Sequence, residues 1–269
     1  MRYAEWGAAD NPRVLLCVHG LTRVGDDFSH LAENLGDSYR IVCPDVVGRG
    51  RSDWLADPTL YGIPQYAFDI TSLIARLNVD RVDFLGTSMG GLIGMSLAGQ
   101  PNAPIGRLIL NDVGPRLQLE ALVRIGDYVG EQKRFADFDQ AIEYVRSIST
   151  GFGLRTPQQW RELTEPAMRF DGSNWVFRYD PGIALSVKGP TPESNALAEA
   201  KLWQLYDAIQ GPVLLVRGAE SDLLSRATAI EMTQRGPRAQ LVEIAQVGHA
   251  PMFFDADQIA IVRRFLLGP

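Results

Sequence analysis

The sequence has little of what builds metal sites, disulfide frameworks or membrane anchors. Only three of its 269 residues are histidine and only two are cysteine. Cys17 and Cys43 each lie inside an apolar run, VLLCVHG and YRIVCPD. Thiols so placed read as buried and free, because a structural disulfide or a metal cluster needs more cysteines or closer ones. Neither a metal nor a cofactor is expected. No run approaches the ~18 apolar residues of a membrane span. The opening MRYAEWGAAD lacks the apolar stretch of a secretory leader. A cytoplasmic protein with no membrane partner is the expectation. Basic charge is also short, since 26 Lys and Arg face 32 Asp and Glu for a net charge of -6. A general nucleic-acid binder needs a basic face against phosphate, so that class is excluded.

What is present reads as an ordinary globular chain. Hydrophobic residues make up 46% and charged residues 22%, enough apolar content for a sizeable core. Short apolar runs alternate with helical patterns. RVLLCVHG (13–20), YRIVCPD (39–45), RVDFLG (81–86), RLILNDVG (107–114), GPVLLVRG (211–218) and QLVEIAQV (240–247) read as strands. DDFSHLAENLG (26–36) places Phe28, Leu31, Ala32 and Leu35 at helical spacing, and QYAFDITSLIARLN (65–78) does the same with Ile70, Leu73, Ile74 and Leu77. Helices are also expected over 89–99, 226–233 and 256–267. Strands apolar throughout, alternating with helices, predict a mostly parallel, doubly wound α/β sheet covered on both faces. Between Pro115 and Asp207 the rhythm breaks into helical stretches at 118–130, 138–149, 157–170 and 195–209. A helical cap inserted between two core strands is the expectation, with a core of 1–115 and 208–269 and a cap of 116–207.

The stretch RVDFLGTSMGGLIGMSLAG (81–99) carries the chemistry. Gly86-Thr87-Ser88-Met89-Gly90 has the form G-x-S-x-G between a strand and a helix. Flanking glycines allow a tight turn that lifts the Ser88 hydroxyl clear, and the helix start supplies N–H groups and a positive dipole end. The bland alternative is a glycine turn with an incidental serine. A serine hydroxyl needs a base to act as a nucleophile at neutral pH. Of the histidines, His30 sits on the polar side of a helix and reads as solvated. His19 ends a strand before Gly20 and reads as loop-shaping. His249, in VGHAPMFF after the last strand, remains as the base by elimination. The carboxylate that orients it is open between Asp222 in RGAESDLLS and Asp112 in LNDVGP, with Glu220 a weaker candidate. Either aspartate could instead order a loop or cap a helix.

Together VLLCVHGLTR, YRIVCPDVVGRGRSD, FLGTSMGGLIGMSLA, LILNDVGP, PVLLVRGAESDLLS and VGHAPMFF resemble the α/β-hydrolase fold family, in its group of serine hydrolases with a helical cap. They span nearly the whole core in order. The resemblance implies a Ser88–His249 pair with Asp222 as acid, because the acid most often follows the strand after the cap. A subset of the family places it where Asp112 stands. It also implies an oxyanion hole from the backbone N–H groups of Met89 and Leu21. The family's opening hairpin is reduced here to RYAEWG, which leaves a shortened sheet edge or a start codon assigned late.

Serine at position 88 separates the chain from relatives of this fold with an aspartate nucleophile. Carbon–carbon bond hydrolases of ring-cleavage pathways usually carry tryptophan after the histidine, and here it is Ala250. The expected reaction is hydrolysis of an ester, thioester or lactone through an acyl-serine. A carbon–carbon bond hydrolase and a ligand-binding receptor that retains the triad are the alternatives. The expected partner is a small, largely apolar acyl substrate, and the expected state is a monomer or homodimer. Phe152, Trp160, Met168, Phe170, Trp175, Phe177 and Trp203 lie in the cap region, and most should pack its own core. Trp160, Trp175, Phe177, Met252 and Phe253 are the pocket candidates. Arg155, Arg161, Arg169 and Arg178 read as solvated charges rather than readers of a substrate carboxylate.

Overall fold

The computed structural model describes residues 1–268; Pro269, the end of the expected core segment, lies outside them. The chain runs β1 (Arg2–Trp6), β2 (Val14–Val18), α1 (Ser29–Leu35), β3 (Arg40–Asp45), α2 (Ile63–Arg76), β4 (Val82–Thr87), α3 (Met89–Ala98) and β5 (Ile105–Asn111). It returns to the core with β9 (Val213–Gly218), α8 (Arg226–Met232), β10 (Gln240–Ile244) and α9 (Ala256–Leu267). The seven strands of the main sheet lie in the order β1-β3-β2-β4-β5-β9-β10. Only β1 is antiparallel, added to the edge against β3. No helix among the described residues is long and apolar enough to cross a membrane.

The apolar strands are buried on both faces, with a period of two. Leu16, Val18, Val42, Phe84, Leu110 and Leu215 face one core, which α2, α3, α7 and α8 cover. (α7 is the last helix of the insertion, Pro192–Asp207.) Leu15, Cys17, Ile41, Leu85, Ile109 and Val216 face the other, closed by α1 and α9. Cys17 and Cys43 are both buried and free, as their apolar surroundings predict.

The insertion leaves β5 and holds α4 (Leu119–Tyr128), β6 (Arg134–Phe135), α5 (Phe138–Ile148), α6 (Pro157–Thr164), β7 (Met168–Phe170), β8 (Trp175–Phe177) and then α7. Thr156 and Thr191 open α6 and α7 as capping boxes, each with Pro at the first helical position. The expected helix over 157–170 stops at Thr164. The end of its tail (β7) and the aromatic stretch after it (β8) join β6, from before α5, in a three-stranded antiparallel sheet, β6-β8-β7. The insertion is tied to the core by backbone. Gly50 N donates to Arg178 O at 2.7 Å, Asp180 N to Gly48 O at 2.8 Å and Gly248 N to Gly151 O at 2.6 Å. His30 is not simply solvated: its Nε2 lies 2.9 Å from Glu162 of α6 and its ring packs on Phe254.

The chain passes from β2 to β3 on one side, then to β4 on the other. The loops after β2 and β4 therefore diverge and leave a crevice at their carboxyl ends, where ligands of such sheets bind. Register brings the ends level, with Val18 beside Gly86, Thr87 beside Asn111 and Asn111 beside Val216.

The turn between β4 and α3 depends on two glycines. A Cβ on Gly86 would lie 2.3 Å from Gly90 C and O, and one on Gly90 would lie 2.0 Å from Val18 O. The backbone crossing there cannot open without moving β2. Gly90→Ala should therefore lower the unfolding free energy by at least ~2 kcal/mol, the range of an overpacked core. Gly62→Ala is the control, since Gly62 is extended and its nearest neighbour for a Cβ is Pro64 Cδ at 3.7 Å. Urea unfolding of both variants checks this; equal midpoints would contradict it.

Candidate active site

Ser88 occupies the turn with φ 53° and ψ -116°, a left-handed φ that costs a non-glycine residue about 1–3 kcal/mol. The turn holds because Ser88 N donates to Asn111 O at 3.0 Å and Gly91 N to Ser88 O at 2.9 Å. The side chain is thereby raised towards the loop after β10. There His249 Nε2 meets Ser88 Oγ at 2.9 Å.

The other nitrogen, His249 Nδ1, lies 2.8 Å from Asp112 Oδ2. A carboxylate only accepts, so Nδ1 carries the proton and Nε2 is left to accept from the Ser88 hydroxyl. Asp112 is fully buried, also with a left-handed φ, of 54°. Its oxygens are satisfied by protein: Gly218 N donates to Oδ1 at 2.9 Å and Ser221 Oγ to Oδ2 at 2.6 Å. Such an arrangement allows the imidazole to take a proton from the hydroxyl while the carboxylate steadies the resulting charge.

The expectation for Asp222 is overturned. Its carboxylate is half exposed and pairs with Arg124 Nη2 at 2.6 Å, away from His249. The residue of its loop that reaches the histidine's carboxylate is Ser221, one position earlier. Glu220 is exposed.

Leu21 and Met89 flank the hydroxyl from the loop after β2 and the start of α3. Among the described residues neither backbone N–H has a hydrogen-bond partner. Beneath them lies Arg49, a fully buried guanidinium that sequence reasoning missed. It donates to Leu21 O and Val47 O, both at 2.8 Å, and its Nη2 lies 3.4 Å from Met89 Sδ. Its flat cation rests on the Tyr66 ring, 4.7 Å from the centroid. The motif VVGRGRSD gave no sign that this arginine, rather than Arg51, turns inward.

Around Ser88 and His249 is a cavity of about 80 Å³. Of the pocket candidates Phe177 and Met252 line it, with Phe152, Val145, Ile125 and Tyr128. Three expected pocket residues lie elsewhere. Phe253 is buried in the core against α9. Trp175 packs between Phe138 and Phe170 inside the insertion. Trp160 sits behind Met252 and forms the wall of a larger groove of about 720 Å³ between α5 and α6, which contains neither Ser88 nor His249. Of the two, only the smaller cavity contains the hydroxyl–imidazole pair. None of Arg155, Arg161, Arg169 and Arg178 lines it; its arginines are Arg23 and Arg124.

With this geometry in place, residues 13–256 match the α/β hydrolase fold family, and the chain belongs to it. The 3-hydroxybutyrate-oligomer hydrolase of Cupriavidus necator is 54% identical over 272 residues, covering 100% of this chain and 93% of its own. An esterase of Mycobacterium tuberculosis is 26% identical over 258 residues, 91% of this chain and 79% of its own. Among solved structures, an α/β hydrolase from Novosphingobium aromaticivorans superposes with a TM-score of 0.87 at 35% identity, covering 99% of this chain and 93% of that one.

His19 is confirmed as a loop-shaping group. Its Nδ1 donates to Gly20 O at 2.7 Å and its Nε2 accepts from Val46 N at 3.0 Å, a pattern only the neutral ring can make. Burial holds its pKa down to about 4. The unfolded chain therefore takes up this proton first as pH falls below its ordinary 6.5. Stability from this group is full above pH 6.5 and is lost as pH falls towards 4, by about 3 kcal/mol at most. Urea midpoints between pH 7 and pH 4 should fall in the wild type and fall less in His19→Asn. Parallel curves would refute the assignment.

Proposed function

We propose that this hydrolase cleaves short carboxylic esters of hydroxy acids through an acyl-serine intermediate. Ser88 is the nucleophile, His249 the base, Asp112 the carboxylate that orients it, and Leu21 and Met89 the oxyanion hole. The observation that carries this reading is the unbroken hydrogen-bond chain from Ser88 Oγ through both nitrogens of His249 to Asp112. Ser88 Oγ attacks the ester carbonyl as its proton passes to His249 Nε2. The carbonyl oxygen becomes an anion held by the two free N–H groups, which are fixed before the charge forms. The intermediate collapses, the C–O bond to the alcohol breaks, and His249 returns the proton to the departing oxygen. Water then repeats the sequence on the acyl-serine, releasing the acid and restoring Ser88.

The substrate class draws support from two directions. The Cupriavidus relative, named for 3-hydroxybutyrate oligomers, is similar over the whole chain. The cavity beside Ser88 is walled mainly by Ile125, Val145, Phe152, Phe177 and Met252, apolar side chains that suit the hydrocarbon part of an acyl unit. Residues 116–207 act as a cap over the core of 1–115 and 208–269, excluding water through Ile125, Val145, Phe152 and Phe177. The two free thiols fit a reducing, cytoplasmic setting.

The test is kinetic. With p-nitrophenyl butyrate, Ser88→Ala should abolish turnover, and a phosphonate reagent should label Ser88 alone. Asp112→Asn should lower kcat by about 10⁴-fold, as for loss of the tautomer-fixing carboxylate elsewhere. Asp222→Asn should leave kcat near the wild-type value. A folded Asp112→Asn with normal kcat, or labelling of another serine, would sink the assignment.

A further inference from the structure

We propose that Arg124 forms a carboxylate subsite in the cavity, so that the enzyme prefers esters carrying a free carboxylate over neutral ones. This deepens the ester-hydrolase reading above and rests on it. The cavity wall carries three charged side chains, Arg23, Asp27 and Arg124. Arg23 and Asp27 cancel each other. Arg23 Nε lies 2.9 Å from Asp27 Oδ2 and its Nη2 2.6 Å from Oδ1, and Nη2 also reaches Leu163 O. Both side chains are buried, so this pair is a fixed part of the wall. Arg124 is then the net charge of the lining, and it is positive in a protein whose net charge is -6.

Arg124 is placed to be used. It sits on α4 one turn before Tyr128, and both face the cavity with Ile125 between them. Its side chain is about half exposed, 49%. Its one hydrogen bond among the described residues is from Nη2 to Asp222, which is itself exposed and forms no part of the cavity wall. Exposed pairs of this kind are weakly held. Asp222 therefore acts as a placeholder that a substrate carboxylate displaces, gaining the planar two-point contact that a guanidinium offers. The rest of the wall, Val145, Phe152 and Phe177, is apolar and suits the ester portion. In a hydroxy-acid oligomer the free carboxylate belongs to the terminal unit. Recognition by Arg124 thus selects chain ends.

The experiment compares the 3-hydroxybutyrate dimer as free acid with its methyl ester and reads the ratio of their kcat/KM. The wild type should favour the free acid by roughly tenfold or more, the scale of a charge-assisted contact. R124Q should bring the ratio close to one, chiefly through KM, and R124K should retain part of it. D222N, which removes the competing carboxylate, should raise the ratio. An equal ratio in wild type and R124Q overturns the subsite. If neither dimer is hydrolysed while p-nitrophenyl butyrate is, the hydroxy-acid substrate is wrong, and the subsite is judged by inhibition of p-nitrophenyl butyrate turnover. 3-Hydroxybutyrate must then inhibit more strongly than its methyl ester and lose that advantage in R124Q. Failure of that difference also overturns it.

Discussion

The buried carboxylate of Asp112 holds the site together. It leaves β5, yet it is bonded to the end of β9 through Gly218 N, to the next turn through Ser221 Oγ and to the loop after β10 through His249. A carboxylate with no exposure to water carries a large desolvation cost unless its oxygens are paired. That cost makes the arrangement restrictive. Any displacement of the three loops strips a donor from a charge that cannot turn to solvent. The histidine is therefore located by the same bonds that keep the sheet's carboxyl edge closed. Gly218 shows how tight this edge is, since a Cβ there would lie 2.1 Å from Gly248 O.

The serine and the histidine were legible because each is tied to a local pattern. Gly86 and Gly90 are required by a backbone crossing, and that requirement marks the turn in the sequence. Only three histidines exist to choose among. The acid was not legible. Asp112 and Asp222 both follow strands, both sit in short polar loops, and neither spacing nor composition reports which way a turn residue faces. Ser221 and Asp222 are consecutive in one turn and point to opposite sides, one to Asp112 and the other to Arg124. The fold core was readable for a simpler reason: strands buried on both faces are continuous apolar runs, and those runs coincide with β2, β3, β4, β5 and β9, while the edge strand β10 is only partly buried.

The insertion was legible only in its helices. β6, β7 and β8 span two or three residues each, too short for a period of two to stand out. Their aromatics pack chiefly on one another, and only Phe177 also touches the main core. Trp175 has Phe138 and Phe170 on either side, and Phe177 reaches Phe135, Tyr144 and Tyr179. Large aromatic residues build whatever small core is nearest. Counting them in sequence overstates how many reach a cavity. Trp175 and Phe177 share one face of β8, so position along the strand decides it: Phe177 reaches the cavity wall and Trp175, one pleat earlier, does not.

Two buried charges of opposite sign frame the serine. Asp112 stands behind His249, and Arg49 stands behind Leu21 and Met89. Burial works against the charge on Arg49. No carboxylate hydrogen-bonds it among the described residues; carbonyls, a thioether and aromatic faces carry it instead. In the proposed acyl transfer through Ser88, positive charge grows on the imidazole and negative charge on the carbonyl oxygen. The fixed anion lies on the imidazole side and the fixed cation on the side of the free N–H groups. A field of that sense favours the charge separation before it occurs, and neither charge must reorient when it does. His19, buried beside the same loop, stays neutral and adds no opposing charge.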